Sequence, residues 1–366
     1  MNASAPDVRL CLASNYLQLI LMPTEACNFR CEYCYEDFQY KRMERWVVRG
    51  VKNLLTAKTP DLDVLVLSWF GGEPLLARSI IEDVLVHVQD LRRRHRTLKC
   101  TSDITTNAYL LTRPTFERLL QLGVTLFQIT FDGPREWHDR RRVLANGRGT
   151  FTRIWNNLLA LRDVRKHFQV TVRLHVDRDN YSALPRFVAD FGKSFGGDAR
   201  FKLFLRRLSH LGSPNDDTLR VFERDEAPRA IASLSRCAEE HRVEQLQLPA
   251  GSPICYAARG NSFLIRANGR LNKCTVALEH PINQVGRIHE DGQLELVPPK
   301  VMGWMRGVWS GRTDELECPM RGYADVAVST TVTLRRSRAP RPDPSPAVTR
   351  TVRSPSAEVA DHRPRG

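Results

Sequence analysis

The sequence predicts an α/β fold, a partial or full (βα) barrel with a small β-rich C-terminal appendage. From residue 17 to about 176, apolar strand-like runs alternate with amphipathic helical stretches, the pattern of parallel βα units. Runs such as "VLVLSWF" and "LFQITF" are near-continuously apolar, as strands covered on both faces are. After Pro249 the helical period gives way to short apolar runs broken by Asn268-Gly269 and Asp291-Gly292, both hairpin signals, and these predict the appendage.

Taken in chain order, strands are expected at 17–22, 64–70, 101–106, 126–131 and 170–176. Helices are expected at 45–57, 79–95, 115–122, 151–163 and 184–191. In such barrels the chemistry sits in the loops at the C-terminal ends of the strands. Residues 1–205 therefore read as a catalytic core, 206–249 as a helical linker and 250–325 as the appendage. Residues 326–366 contain no aromatic residue and hold eight arginines against three acids. That composition cannot bury enough surface to fold, so a disordered basic tail is expected. There is no internal repeat.

Of the 366 residues 42% are apolar, enough for a sizeable core. No run approaches the ~20 apolar residues that span a bilayer, and no charged-then-apolar leader opens the chain. A cytoplasmic protein without a membrane partner is expected. Nine cysteines, three of them within eight residues, argue against a secreted disulfide framework and for metal or redox work. The net charge of +14 could suggest nucleic acid. Much of it lies in the tail and on helical faces, so nucleic acid is not favoured as a substrate; a groove for an acidic peptide is the alternative.

The strongest signal is "CNFRCEYC", Cys-x3-Cys-x2-Cys at Cys27, Cys31 and Cys34, just beyond the first strand. Thiolates this close in one loop can wrap one face of an iron–sulfur cube and leave the fourth iron without a protein ligand. Zinc with a distant fourth ligand is the competing reading, although no histidine lies nearby in the sequence. At these residues the chain resembles the radical S-adenosylmethionine (SAM) superfamily, whose hallmark is this spacing with an aromatic residue, here Tyr33, before the third cysteine. The resemblance implies a [4Fe–4S] cluster, SAM chelating its open iron, and reductive cleavage to methionine and a 5′-deoxyadenosyl radical that abstracts a hydrogen atom.

Further motifs resemble the family in type and order. "GGEPLL" implies that Gly71, Gly72 and Glu73 contact the SAM amino group. "TTNAYLL" resembles the family's Thr-Asn-Gly strand end at Thr106 and Asn107, with Ala108 in place of the glycine. "QITFDGPREWHDRRR" resembles its Ser-x-Asp-Gly-Pro segment, with Thr130 at the serine position as a contact for the SAM carboxylate or ribose. Asp132 and Gly133 read as turn-shaping residues. His138 and Arg142 read as substrate contacts or as a solvated helix start. Arg173, a charge on a buried strand, reads as a SAM carboxylate contact or a buried ion pair.

The appendage carries Cys255 and Cys274 in "Cys-x13-Gly-x4-Cys", and Cys318 is followed by Pro319. This resembles the start of a SPASM or twitch auxiliary-cluster domain. Glu315 and Ala324 stand where further cysteines would be, and none follows Cys318. Cys255, Cys274 and Cys318 could thus supply at most three ligands to one auxiliary iron–sulfur cluster. The tail stands where a cysteine-rich terminus is expected, as a diverged or frameshifted end would. Cys11, Cys100 and Cys237 read as buried small hydrophobes.

The resemblance implies an oxidoreductase that modifies a peptide or protein, in ribosomal peptide maturation. It also implies an external electron donor such as flavodoxin or ferredoxin, and a separate leader-peptide-binding protein if a leader is used. Sulfatase maturation, a small-molecule or RNA substrate, and a degenerate non-catalytic homologue are the alternatives.

Overall fold

The computed structural model describes residues 7–246, 254–323 and the backbone of 332–333. A short helix α1 (Arg9–Leu12) leads into β1 (Tyr16–Leu21), followed by the brief β2 (Phe29–Cys31). Then come α2 (Arg45–Lys58), β3 (Val64–Trp69), α3 (Arg78–Arg94), β4 (Lys99–Thr106), α4 (Arg113–Gln121) and β5 (Val124–Phe131). The next units are α5 (Arg135–Arg141), β6 (Arg142–Leu144), α6 (Phe151–Leu161), β7 (Gln169–Val176), α7 (Leu184–Phe195) and β8 (Phe201–Arg207). α8 (Ala227–Glu240) and β9 (Glu244–Gln245) complete the barrel region. The appendage holds β10 (Ser262–Ile265), β11 (Arg270–Asn272), β12 (Gln284–Ile288) and β13 (Leu294–Leu296), and β14 (Val332–Thr333) pairs with β13.

Twelve strands form one sheet in the order β14-β13-β12-β11-β10-β1-β3-β4-β5-β7-β8-β9. The strands from β10 to β9 run parallel; those from β10 to β14 alternate in direction. Among the described residues no pairing joins the two ends, so the partial rather than the full barrel is realised. Period-two burial explains the layers. In β3, Leu65, Leu67 and Trp69 face the helices, where Val47, Val51 and Leu55 of α2 and Ile81, Val84, Leu85 and Val88 of α3 complete one core. Val64, Val66 and Ser68 face the concave side. That side is not filled by apolar packing: Leu126 remains 39% exposed.

One expectation is corrected. Residues 206–249, read as a helical linker, contain the end of β8, then α8 and β9, a last βα unit of the sheet. β8 reads "FKLFLRR", apolar at alternate positions, so a search for continuous apolar runs passes over it. The appendage grows from the barrel sheet: β10 pairs parallel with β1, Gln18 opposite Ser262. Apart from the β14 backbone, the expected tail 326–366 lies outside the described residues.

One ion network fastens the appendage to the loop after β1. Arg266 is wholly buried; its Nε and Nη2 donate to the two carboxylate oxygens of Glu25 at 2.9 and 2.6 Å, and Glu279 accepts from Nη1. Removing one member of a buried pair leaves its partner's charge uncompensated. Arg266→Leu is expected to lower stability by about 3–5 kcal/mol in denaturant titration, and Glu25→Gln/Arg266→Leu to lose less than the single change.

Candidate functional site

The C-terminal ends of β1, β3, β4, β5 and β7 surround a cavity of about 480 Å3. Cys27, Cys31 and Cys34 all line it, as do Tyr33, Gly71, Gly72, Thr106, Asn107, Thr130 and Arg173. The motifs read separately along the chain therefore converge on one space. Glu73 is the exception: it is fully buried and is not part of the lining.

Glu73 braces the site from behind. Its carboxylate accepts from Thr106 Oγ1 and the Asn107 amide, both at 2.7 Å, and from the Leu75 amide at 3.0 Å. Its own amide donates to Ala26 O at 2.9 Å, in the cysteine loop. Burial pushes its pKa up, and these donors work against that rise. Asn107, so positioned, donates to Asn28 Oδ1 at 2.8 Å, and its Nδ2 lies 3.9 Å from Cys27 Sγ. The two glycines have a geometric cause. A Cβ on Gly71 would stand 2.2 Å from Thr24 O, and one on Gly72 would stand 2.5 Å from the carbonyls of Glu25 and Ala26. Glycine is required by the backbone of the cysteine loop itself.

The cysteine loop is also held from its other side. β2 pairs antiparallel with β6, with Cys31 opposite Arg142, a link between distant segments that no local sequence pattern signals. Arg142 donates to Tyr33 Oη at 2.8 Å, and Tyr33 donates to Asp132 Oδ1 at 2.9 Å. His175, which sequence reasoning missed, stands 3.2 Å from the same oxygen through Nδ1. Burial works to raise the Asp132 carboxyl, but the His175 hydrogen bond and the Arg142 charge outweigh it and hold Asp132 below the usual range. Burial pushes His175 down, and the hydrogen bond to Asp132 works against that fall. Asp132, read as turn-shaping, is thus the hub of a polar network beneath Tyr33.

His138 is neither solvated nor in the lining. It is fully buried between Phe131 and Phe151, 3.1 Å from Thr150 Oγ1, and burial pushes it down to about 3. Arg173 makes no ion pair among the described residues. Its Nε and Nη2 donate only to Thr130 Oγ1, at 3.2 and 3.1 Å, and it fronts the cavity. Burial lowers its pKa, and the Arg142 and Arg206 charges add to that. Of its two expected roles, the buried ion pair is not found.

Further polar residues on the concave face were missed: Gln18, Ser68, Asp103, Gln128 and Arg206 also line the cavity. A polar residue recurring inside otherwise apolar strands was the available signal. Ser68 Oγ donates to Asp103 Oδ2 at 2.7 Å, and burial pushes Asp103 up to about 6.

The donor chemistry of the three cysteines suits an iron–sulfur cluster. Burial pushes Cys27 up to about 12 and Cys34 up to about 11, and Cys31 is raised as well. Left alone these thiols stay protonated at neutral pH; iron would hold them as thiolates. Among the described residues no three His, Cys, Asp or Glu side chains are close enough to share one metal ion. A cube asks each thiolate to reach a different iron.

Residues 21–188 match the model of the Radical SAM superfamily. Members use a [4Fe–4S] cluster and SAM. The radical SAM cyclopropyl synthase TigE of Paramaledivibacter caminithermalis is 23% identical over 194 residues, 48% of this chain and 38% of that protein. The serine-type anaerobic sulfatase-maturating enzyme of Bacteroides thetaiotaomicron is 25% identical over 156 residues, 40% of this chain and 36% of that protein. The chain therefore spans less than two-fifths of the length of these relatives. Among solved structures, native anSMEcpe with bound AdoMet and Cp18Cys peptide superposes with a TM-score of 0.56 at 18% identity, covering 78% of this chain and 80% of that one, which shows a shared fold.

Ala108, where the family places glycine, has φ +60°. A left-handed conformation costs a non-glycine residue roughly 1–2 kcal/mol, so Ala108→Gly is expected to gain about 0.5–1 kcal/mol after its extra unfolded-state entropy, read by denaturant midpoint. Asp103 gives a pH signature. Its folded-state pKa lies above the ordinary 3.8, so the native protein keeps a proton that the unfolded chain releases, and stability falls as pH rises toward about 6. Asp103→Asn is expected to stabilise by about 1–2 kcal/mol at pH 7.5 and by little at pH 4.

Proposed function

We propose that this chain reductively cleaves SAM and abstracts a hydrogen atom from a peptide or protein, in the maturation of a ribosomal peptide. The observation that carries the reading is the facing of Cys27, Cys31 and Cys34 onto one cavity with Gly71, Gly72, Thr130 and Arg173. When bound, the cluster and SAM supply the radical chemistry. The chain's own residues supply placement. Thr130 and Arg173 offer a hydroxyl and an unpaired guanidinium for a carboxylate. Thr106 and Asn107, fixed by Glu73, close the side next to Cys27. Gln18, Ser68, Asp103 and Gln128 line the concave face, where a substrate can be held against the reactive carbon.

A peptide substrate is supported by the open concave face and by the likeness to a peptide-bound structure. Sulfatase maturation is the second reading, favoured by the sulfatase-maturating relative. An external one-electron donor of the flavodoxin or ferredoxin class goes with either, as does a reducing cytoplasmic setting, and a separate leader-binding protein goes with the first. No helix among the described residues is long and apolar enough to cross a membrane.

Cys255, Cys274 and Cys318 form a second candidate site. The Cys255 amide donates to Leu316 O at 2.8 Å and the Tyr256 hydroxyl is 2.8 Å from Thr275 Oγ1, which sets Cys255 beside the segments that carry Cys318 and Cys274. Tyr256 and Thr275, beside two of them, line the cavity. This trio is proposed as the ligand set of one auxiliary cluster.

Anaerobic reconstitution with iron, sulfide, dithionite and SAM is expected to give iron–sulfur absorption and 5′-deoxyadenosine, and Cys27→Ala, Cys31→Ala or Cys34→Ala to abolish 5′-deoxyadenosine and lower the iron content. Normal cleavage in any of these variants would remove the assignment. Cys255→Ala or Cys274→Ala is expected to lower modification of a precursor peptide, followed by mass spectrometry, more than SAM cleavage. Modification of a sulfatase peptide instead would favour the second reading.

A further inference from the structure

We propose that Arg142 sets a fixed positive charge against the cysteine loop and thereby raises the reduction potential of the cluster that Cys27, Cys31 and Cys34 would hold. The proposal rests on the reading of those cysteines as cluster ligands. Its basis is placement. Arg142 lies directly opposite Cys31 in the β2–β6 ladder, and directly opposed residues project to the same side of a pair with Cβ atoms about 4.5–5.5 Å apart. The ladder sets the two backbones side by side, and both residues line the same cavity.

The surroundings of Arg142 are unusual for a buried cation. It is 6% exposed, and it makes no ion pair among the described residues. Nη1 donates to Tyr33 Oη at 2.8 Å, the guanidinium stands 5.6 Å from the centre of the Phe29 ring, and Nε has no hydrogen-bond partner. The Asp132 carboxylate is reached only through the Tyr33 hydroxyl. A buried guanidinium without a paired carboxylate is costly to keep, so its counter-charge must come from elsewhere. Arg142 and all three cysteines line the same cavity, so a cluster held there would supply it.

Reduction transfers one electron from the external donor to the cluster and adds one negative charge there, with no proton required. A fixed cation in a low-dielectric setting stabilises that added charge and is screened little by salt. Charge close to the sulfurs is one of the levers that set such potentials.

The test is an EPR-monitored redox titration of the anaerobically reconstituted full chain, with iron content measured in parallel. Arg142→Gln is expected to keep its iron and to lower the reduced-to-oxidised ratio at a given solution potential at least tenfold, a midpoint shift of about 59 mV. The shift is expected to persist at high ionic strength. Arg142→Lys, which keeps the charge and loses the planar fork, is expected to restore most of it. A Gln variant with full iron and an unchanged potential overturns the proposal. So does a Lys variant as low as Gln, which would assign the effect to packing. Should the Gln variant take up no iron, Asp132→Asn decides: it removes an opposing anion and is expected to raise the potential, and an unchanged or lower value overturns the proposal. Wild-type protein without iron–sulfur absorption would defeat the cofactor reading itself, and this proposal with it.

Discussion

The site depends on one buried carboxylate. The loop that carries the three cysteines sends Phe29 into the core, and Glu73 ties its backbone to the sheet. The Glu73 amide holds the loop at Ala26, while the carboxylate gathers the Thr106 hydroxyl and the Asn107 amide. A buried carboxylate is tolerated only when its oxygens are satisfied, and three donors satisfy these. The adjoining glycines admit the same loop to backbone contact. Gly71, Gly72 and Glu73 thus act first on the chain itself, and through it on whatever the cavity holds.

A second set of contacts holds the far side of the loop, and the two sets differ in kind. Behind Cys27 the constraint is hydrogen bonding to Glu73 and Asn107. Behind Cys31 it is the β2–β6 ladder and the Arg142–Tyr33–Asp132–His175 chain. The first set fixes position. The second also fixes charge, because it brings a guanidinium and a carboxylate to the two sides of one tyrosine. The remainder of the cavity is polar in a graded way, with Arg173 and Arg206 on β7 and β8 and Asp103 with Ser68 on β4 and β3. A peptide entering over the concave face would meet an acid on one flank and guanidinium groups on the other.

Much of the framework was legible in the chain. The five expected strands and five expected helices appear within a few residues of their places, because the helix-facing side chains of each element are apolar at the period of that element. Legibility failed where the pattern was not continuous. β8, half-buried, alternates "FKLFLRR", so no strand was expected at 201–207. The interior polar residues Gln18, Ser68, Asp103 and Gln128 looked like interruptions of apolar strands, whereas they mark the side that faces the cavity.

By itself the sequence determined the order of the βα units, the thiol trio and the three accompanying motifs, since spacing and period are local properties of a chain. Only the tertiary structure decided that the sheet stays open, that the appendage grows from β1, that Glu73 lies behind the cavity and that Arg142 stands beside Cys31. Each of these rests on contacts between residues far apart in the chain, and the charge, burial and hydrogen bonding of a side chain are set by such neighbours.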